Sequence, residues 1–324
     1  MKSARLGRVG EVSRLTLGGG GLGQIWGRTT RAEAVATVRL AVDYGITLID
    51  VAPLYGRGEA ETVIGEAFGG RPPPGLRFTT KCALGTPPAA EVAATIRRRL
   101  ERSLELMKLQ RVDLLFLHSS IIPDDFRFPR DADTQNRFAT TWTIYREHAI
   151  PTFEQLQREG LIGDWGITGV GLPQTIIEAL DADPKPAVVQ CISNCLDSAG
   201  GMRRYDEPAR PRDIIAAAVR NGVGVLGIRA AQAGALTDGF DRKVPPGDPE
   251  ALDFERAAPL RALAEKLATD TAVLAHRYAL GMKGVDSVIL GVKNRSELAD
   301  CVSMEVAGPL PPDLVQQIDR LFSD

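Results

Sequence analysis

Short apolar runs alternate with longer stretches whose apolar residues recur every three or four positions, and the alternation repeats along nearly the whole chain. The short runs are RLTLGG (14–19), ITLID (46–50), LRFTTK (76–81) and VDLLFLH (112–118), followed by IGDWGIT (162–168), AVVQCIS (187–193), GVGVLGI (222–228) and VDSVIL (285–290). Helical patterns lie between them at 31–45, 59–68, 89–109, 150–160, 172–181, 211–222 and 259–281, and several end in Gly, a common helix terminator. Apolar strands separated by helices predict a parallel sheet covered on its outer face. Eight such units predict a closed (β/α)8 TIM barrel, forming a single domain over 1–324. A doubly wound open sheet is the competing architecture. It usually has fewer strands and a phosphate-binding glycine turn that opens a helix after the first, a pattern that LGGGGLG (17–23) does not fit.

Three segments fall outside this alternation. ARLGRVGEVSRL (4–15) precedes the first barrel strand and reads as a short hairpin that plugs the bottom of the barrel. Two long excursions, 119–148 after the fourth strand and 230–257 after the seventh, leave from strand C-termini, the face on which such barrels carry their sites.

Composition narrows the classes of partner. The 324 residues are 44% hydrophobic and 25% charged, enough for a large core and a soluble surface. With 39 Lys and Arg against 41 Asp and Glu the net charge is −2, which gives no support to nucleic-acid binding. No apolar run approaches the ~18 residues that span a membrane, and MKSARLGRVG has no apolar signal core. The four cysteines, 82, 191, 195 and 301, lack C-x-x-C spacing and read as reduced thiols of a cytoplasmic protein, with no metal site expected.

The informative residues stand at strand ends. Asp50, Lys81 and His118 close three consecutive strands, and Tyr55 follows Asp50 in a Pro/Gly loop. Each has an ordinary structural explanation alone: a turn cap, an exposed charge, a core histidine. Converging on one rim, they predict a site. A phenol titrates near 10, and a neighbouring ammonium is expected to lower that value. An Asp beside the Lys would keep the amine charged and placed, and a histidine could orient a substrate oxygen. That set suits proton transfer during reduction of a carbonyl or its reverse, with the hydride coming from a nicotinamide cofactor.

The segment LIDVAPLYGRGEAETVIGEAF, with its Asp-x4-Tyr-Gly followed by Glu and IG, resembles the aldo-keto reductase superfamily, and the resemblance runs from LGRVGEVSRLTLGGGGLG to VILGVKNRSELADCV. It implies an (α/β)8 barrel that binds NADP(H) or NAD(H) without a Rossmann domain, and a catalytic tetrad of Asp50, Tyr55, Lys81 and His118. On the cofactor side it implies contacts from Gly20, Asp50, Thr168, Gln190, Ile228, Arg229, Gly291, Lys293 and Glu297. Thr168 and Gly169 stand where a Ser-Asn pair is usual, and Ile228 where an aromatic residue usually stacks on the nicotinamide. Arg229 is placed to meet a pyrophosphate. Lys293, Asn294 and Arg295 could meet a 2′-phosphate, whereas Glu297 could instead take a free ribose hydroxyl. NADP is the expected cofactor, with NAD possible.

Trp26, Tyr55, His118 and Asn194 are the expected substrate-pocket residues, joined by some of the aromatics Phe126, Phe128, Trp142 and Tyr145 of the 119–148 excursion. Trp142 and Tyr145 lie three apart and could equally anchor a helix. Arg203, Arg204 and Tyr205 could reach the rim or meet solvent. The expected activity is NADPH-dependent reduction of an aldehyde or ketone. An NAD-dependent dehydrogenase of a sugar or related alcohol is the alternative, and a non-catalytic nucleotide-sensing subunit is a remote third. The expected assembly is a monomer or small homo-oligomer without a membrane or nucleic-acid partner.

Overall fold

The computed structural model describes the chain except residues 130, 131, 241 and 324, two of which fall in the first excursion and one in the second. Eight parallel strands close into a barrel: β1 (Leu15–Gly18), β2 (Leu48–Asp50), β3 (Arg77–Cys82), β4 (Val112–Leu117), β5 (Ile162–Thr168), β6 (Val188–Ile192), β7 (Gly224–Ile228) and β8 (Ser287–Leu290). Each pairs with its sequence neighbours, and β8 pairs with β1 to complete the ring. The helices α1 (Arg31–Asp43), α2 (Glu59–Phe68), α3 (Val92–Met107), α4 (Ile150–Arg158), α5 (Pro173–Asp181), α6 (Pro211–Arg220), α7 (Thr271–Gly281) and α8 (Arg295–Ala307) follow the strands in turn. No helix of the described residues is long and apolar enough to cross a membrane.

Local chemistry sets these boundaries. Thr30 caps α1 by accepting from the Glu33 amide, and Asn294 caps α8 in the same way through the Glu297 amide. Gly69 ends α2 in the left-handed region, where a side chain would be strained. The largest apolar cluster lies between the outer faces of the strands and the helices.

A smaller cluster fills the bore. Leu48, Leu114, Phe116, Val188 and Leu226 meet there with Leu6 and Val12 of the N-terminal hairpin, whose strands Ser3–Leu6 and Gly10–Ser13 pair antiparallel. Strand side chains alternate between faces, so residues two positions further along share the inward face. Asp50, His118 and Gln190 each stand two positions beyond an apolar bore residue, and the interior therefore turns polar toward its C-terminal mouth, with Ile228 an apolar exception among them.

The excursions are more ordered than their sequences suggest. The first holds a two-stranded piece, Ser120–Ile122 with Ala139–Thr141, and its Phe126 and Phe128 pack with Ile122, Leu172 and Tyr205. Tyr205 is thereby buried rather than at the rim. Tyr145 is buried between Trp142 and Trp165, with ring centroids 5.9 and 6.4 Å away, so this pair anchors the barrel wall. The second excursion contains a helix, Pro249–Arg256. A further helix, α9 (Pro312–Phe322), packs Ile318 against Leu260 and Tyr278. The spacing of Leu314, Ile318 and Leu321 carried its signal, outside the eight-unit pattern.

Candidate active site

The mouth of the bore brings the strand-end residues Asp50, Lys81 and His118 together with Tyr55 of the loop after β2. Lys81 Nζ lies 2.5 Å from Asp50 Oδ2, 3.1 Å from the Tyr55 hydroxyl and 3.1 Å from the Val51 carbonyl oxygen. Lys81 and Asp50 are almost wholly excluded from solvent, with side-chain exposures of 0% and 2%. A charge in that position persists only with partners, and these contacts supply them. Thr79, inward-facing like Lys81, donates to Asp50 Oδ1 at 2.6 Å, and Gln190 Nε2 donates to the same oxygen from β6 at 2.6 Å. The His118 ring stands edge-on to Tyr55 with centroids 6.1 Å apart. Its buried Nδ1 has no hydrogen-bond partner among the described residues.

The electrostatics correct one expectation. Burial raises the Tyr55 pKa, the Lys81 charge lowers it and Asp50 raises it again, and the net result is above the usual phenol value. The ammonium alone does not determine the phenol's acidity, because the site is dry. Burial works against the charge on Lys81, but Asp50 and Tyr55 outweigh it and hold the amine above its ordinary range. Burial, helped by Lys81, pushes His118 down to about 3, so its imidazole is neutral at physiological pH. The resting site thus holds a neutral phenol, a charged amine and a neutral imidazole.

The remaining expected contacts divide. Trp26 lies against both Gly20 and Gly291: a Cβ on Gly20 would stand 2.5 Å from the indole nitrogen, and one on Gly291 3.2 Å from it. The close approach requires glycine at Gly20. Arg242, from the second excursion, stands over the same indole at 5.7 Å. Thr168 is buried and donates to the carbonyl oxygens of Leu117 and Ser119, at 3.2 and 3.3 Å. Ile228 remains partly exposed at the end of β7.

Two expectations fail. Asn194 is fully buried and does not face the pocket. Its Nδ2 donates to Ser198 O, Arg229 O and Gln232 Oε1, while Oδ1 accepts from the amides of Leu196 and Ser198. Arg229 is not an open cation for a pyrophosphate, because it pairs with Glu250 at 2.8 Å with both side chains largely buried. Glu250 and Asp253, one turn apart on the Pro249–Arg256 helix, went unread in the sequence. Asp253 accepts from Ser198 and Gln232, each at 2.6 Å, and so ties that helix to the turn after β7. In that turn Arg229, Gln232, Ala233 and Gly234 all have left-handed φ, from 46° to 93°. Thr79 was legible from its spacing to Lys81, whereas the helix contacts join residues remote in sequence and had no local signal.

The adenosine-side cations expected to meet a phosphate are also engaged. Lys293 Nζ pairs with Glu297 at 2.8 Å, and Arg295 pairs with Glu33 at 2.9 Å.

Comparison with known proteins agrees with this architecture. A model described as Aldo/keto reductase family matches residues 14–322. The L-galactose dehydrogenase of Arabidopsis thaliana is 27% identical over 301 residues, covering 92% of this chain and 86% of that protein. Two solved structures share the fold. Aldo-keto reductase AKR11C1 from Bacillus halodurans, in its holo form, has a TM-score of 0.72 at 23% identity over 99% of this chain and 96% of its own. The glycerol dehydrogenase AKR11B4 from Gluconobacter oxydans has a TM-score of 0.70 at 22% identity, covering 98% and 94%. With the family match running from the first barrel strand to the last helix, the chain belongs to the aldo/keto reductase family of NAD(P)-dependent oxidoreductases.

Proposed function

We propose that this protein interconverts a small-molecule carbonyl compound and its alcohol, with Tyr55 as the proton donor and acceptor. The observation that carries the reading is the Tyr55 hydroxyl 3.1 Å from a buried ammonium that is itself fixed by Asp50. A bound nicotinamide supplies or takes the hydride, which no side chain of the protein can do. The site fits such a cofactor. The buried His118 Nδ1 lacks a hydrogen-bond partner among the described residues, as a group awaiting a bound molecule would, and Ile228 is partly exposed at the end of β7, where it can pack against a ring. Gly20, Thr168, Gln190 and Ile228 would hold the nicotinamide end, and the segment from Gly291 to Glu297 the adenosine end.

In the reductive direction, the Tyr55 hydroxyl donates its proton to the substrate oxygen as that oxygen gains charge. Lys81 stabilises the phenolate left behind, and Asp50 keeps Lys81 charged and in place. His118, neutral, donates a hydrogen bond that orients the substrate oxygen. Ile25 and Leu54 are exposed on the two loops that flank this mouth and provide an apolar border for the substrate.

Reduction of an aldehyde or ketone is the principal reading. Oxidation of a sugar-type alcohol is the second, supported by the likeness to L-galactose dehydrogenase over 92% of the chain. The same atoms serve both directions. Titration of the purified protein with NADH and NADPH, followed through tryptophan fluorescence, tests the cofactor. A panel of aldehydes, ketones, sugars and polyols then tests the substrate class. Failure of both dinucleotides to bind, together with no turnover on the panel, would sink the reading.

The raised Tyr55 and lowered His118 values set the expected pH dependence. Tyr55 is active in reduction while protonated, and its raised pKa keeps it so beyond the ordinary phenol range. His118, with a value of about 3, is already neutral well below physiological pH. Reductive kcat/KM is therefore expected to be level from about pH 5 to about pH 9. A fall through pH 6 to 7, measured under saturating cofactor, would show that His118 titrates there and is not held neutral.

A further inference from the structure

We propose that the protein selects NAD(H) over NADP(H), and that Glu297 and Glu33 are the residues that do so. The proposal rests on the oxidoreductase reading above and specifies its cofactor. The segment after β8 carries two cations, Lys293 and Arg295, that a 2′-phosphate would need. Both are already matched by carboxylates. Glu297 Oε1 lies 2.8 Å from Lys293 Nζ and accepts from Asn294 Nδ2 at 3.2 Å, and its Oε2 accepts from the Lys293 backbone amide at 2.8 Å. Glu33, on the neighbouring α1, grips Arg295 three times: its Oε1 accepts from the backbone amide at 3.0 Å and from Nε at 3.1 Å, and its Oε2 accepts from Nη2 at 2.9 Å. That bidentate grip holds the Glu33 carboxyl below its usual range, chiefly through the Arg295 side-chain hydrogen bond.

A third carboxylate stands nearby. Asp300 lies three residues beyond Glu297, on the same helix α8 and exposed. Lys293 and Arg295 are therefore each already met by a carboxylate, and Asp300 adds a further negative charge to the same helix. A 2′-phosphate entering here adds up to two further negative charges and has to displace Glu297 or Glu33 to gain a cation, leaving that carboxylate unpaired. A free ribose diol meets the opposite situation, because its hydroxyls donate to a carboxylate that keeps its lysine. An acidic residue accepting from the 2′-hydroxyl is how dinucleotide sites of other folds select NAD, and an arginine there is how they admit the phosphate.

The test uses the full chain and reads binding rather than turnover. NADH and NADPH are titrated by tryptophan fluorescence, and ADP and 2′,5′-ADP by calorimetry, on the wild type, Glu297→Gln, Glu297→Arg and Glu297→Arg/Glu33→Gln. The wild type is expected to bind NADH more than about tenfold more tightly than NADPH, and ADP more tightly than 2′,5′-ADP. Glu297→Gln should narrow the ratio. The double variant, which frees Arg295 and adds a second arginine, should invert it and make NADPH binding steeply salt-dependent. Thermal melting checks that each variant is folded, and Glu297→Gln, the mildest change, keeps the test available if an arginine variant does not fold. Equal or tighter binding of NADPH by the wild type overturns the proposal. So does an unchanged ratio in folded variants that still bind both. Absence of binding by either dinucleotide overturns the oxidoreductase reading, and the proposal with it.

Discussion

Tyr55→Phe is expected to lower turnover by about 10²- to 10⁴-fold, the usual contribution of a positioned acid–base group, while dinucleotide affinity stays within about twofold. The substitution removes one oxygen and keeps the ring that Lys81 Nζ overlies at 4.7 Å and His118 meets edge-on. Folding and the shape of the mouth should survive it. Single-turnover rates at saturating cofactor separate the proton-transfer step from binding and release. Wild-type rates in this variant would mean that another group moves the proton, and the Lys81 and Asp50 arrangement would then need a different explanation.

Lys81→Met is the change with the largest expected effect on stability. It removes the cation and leaves Asp50 buried, with only Thr79 and Gln190 donating to it. Breaking one side of a buried pair costs about 3–5 kcal/mol, whereas replacing both partners with apolar residues is often neutral. Lys81→Met should therefore melt well below the wild type, and Lys81→Met/Asp50→Leu should recover much of the difference. Neither variant should turn over substrate. Urea unfolding of the two variants checks the comparison, and a single variant as stable as the wild type would contradict the buried pair described here.

The barrel was legible because its signal is local and repeated. Runs such as VDLLFL and GVLGI are mostly apolar, as strands covered on both faces must be, and Thr30 and Asn294 mark helix starts with a Glu three residues on. The tetrad was legible for a related reason. Strand ends share one rim, so Asp50, Lys81 and His118 are brought together by topology rather than by any contact visible in the sequence. The parts misread were those set by distant partners. Asn194 stands at a strand end like the others, but Gln232 and the Ser198 turn draw its amide inward. Arg229 finds Glu250 across an excursion whose helix has no counterpart in the strand pattern. The Tyr55 proton depends on how dry the site is, and dryness is a property of the packed mouth, beyond the reach of pairwise reading.

Strands β2 and β6 are four apart in a ring of eight and so lie on opposite walls, yet Asp50 and Gln190 touch at 2.6 Å. The contact acts as a strut across the bore, and the lysine that serves the phenol is braced from one end of it. Widening the barrel to admit a bulkier molecule would pull on that strut and misplace the amine. Evolution of new substrates on this scaffold is thus channelled into the loops above the mouth, while the gauge of the barrel beneath them stays fixed.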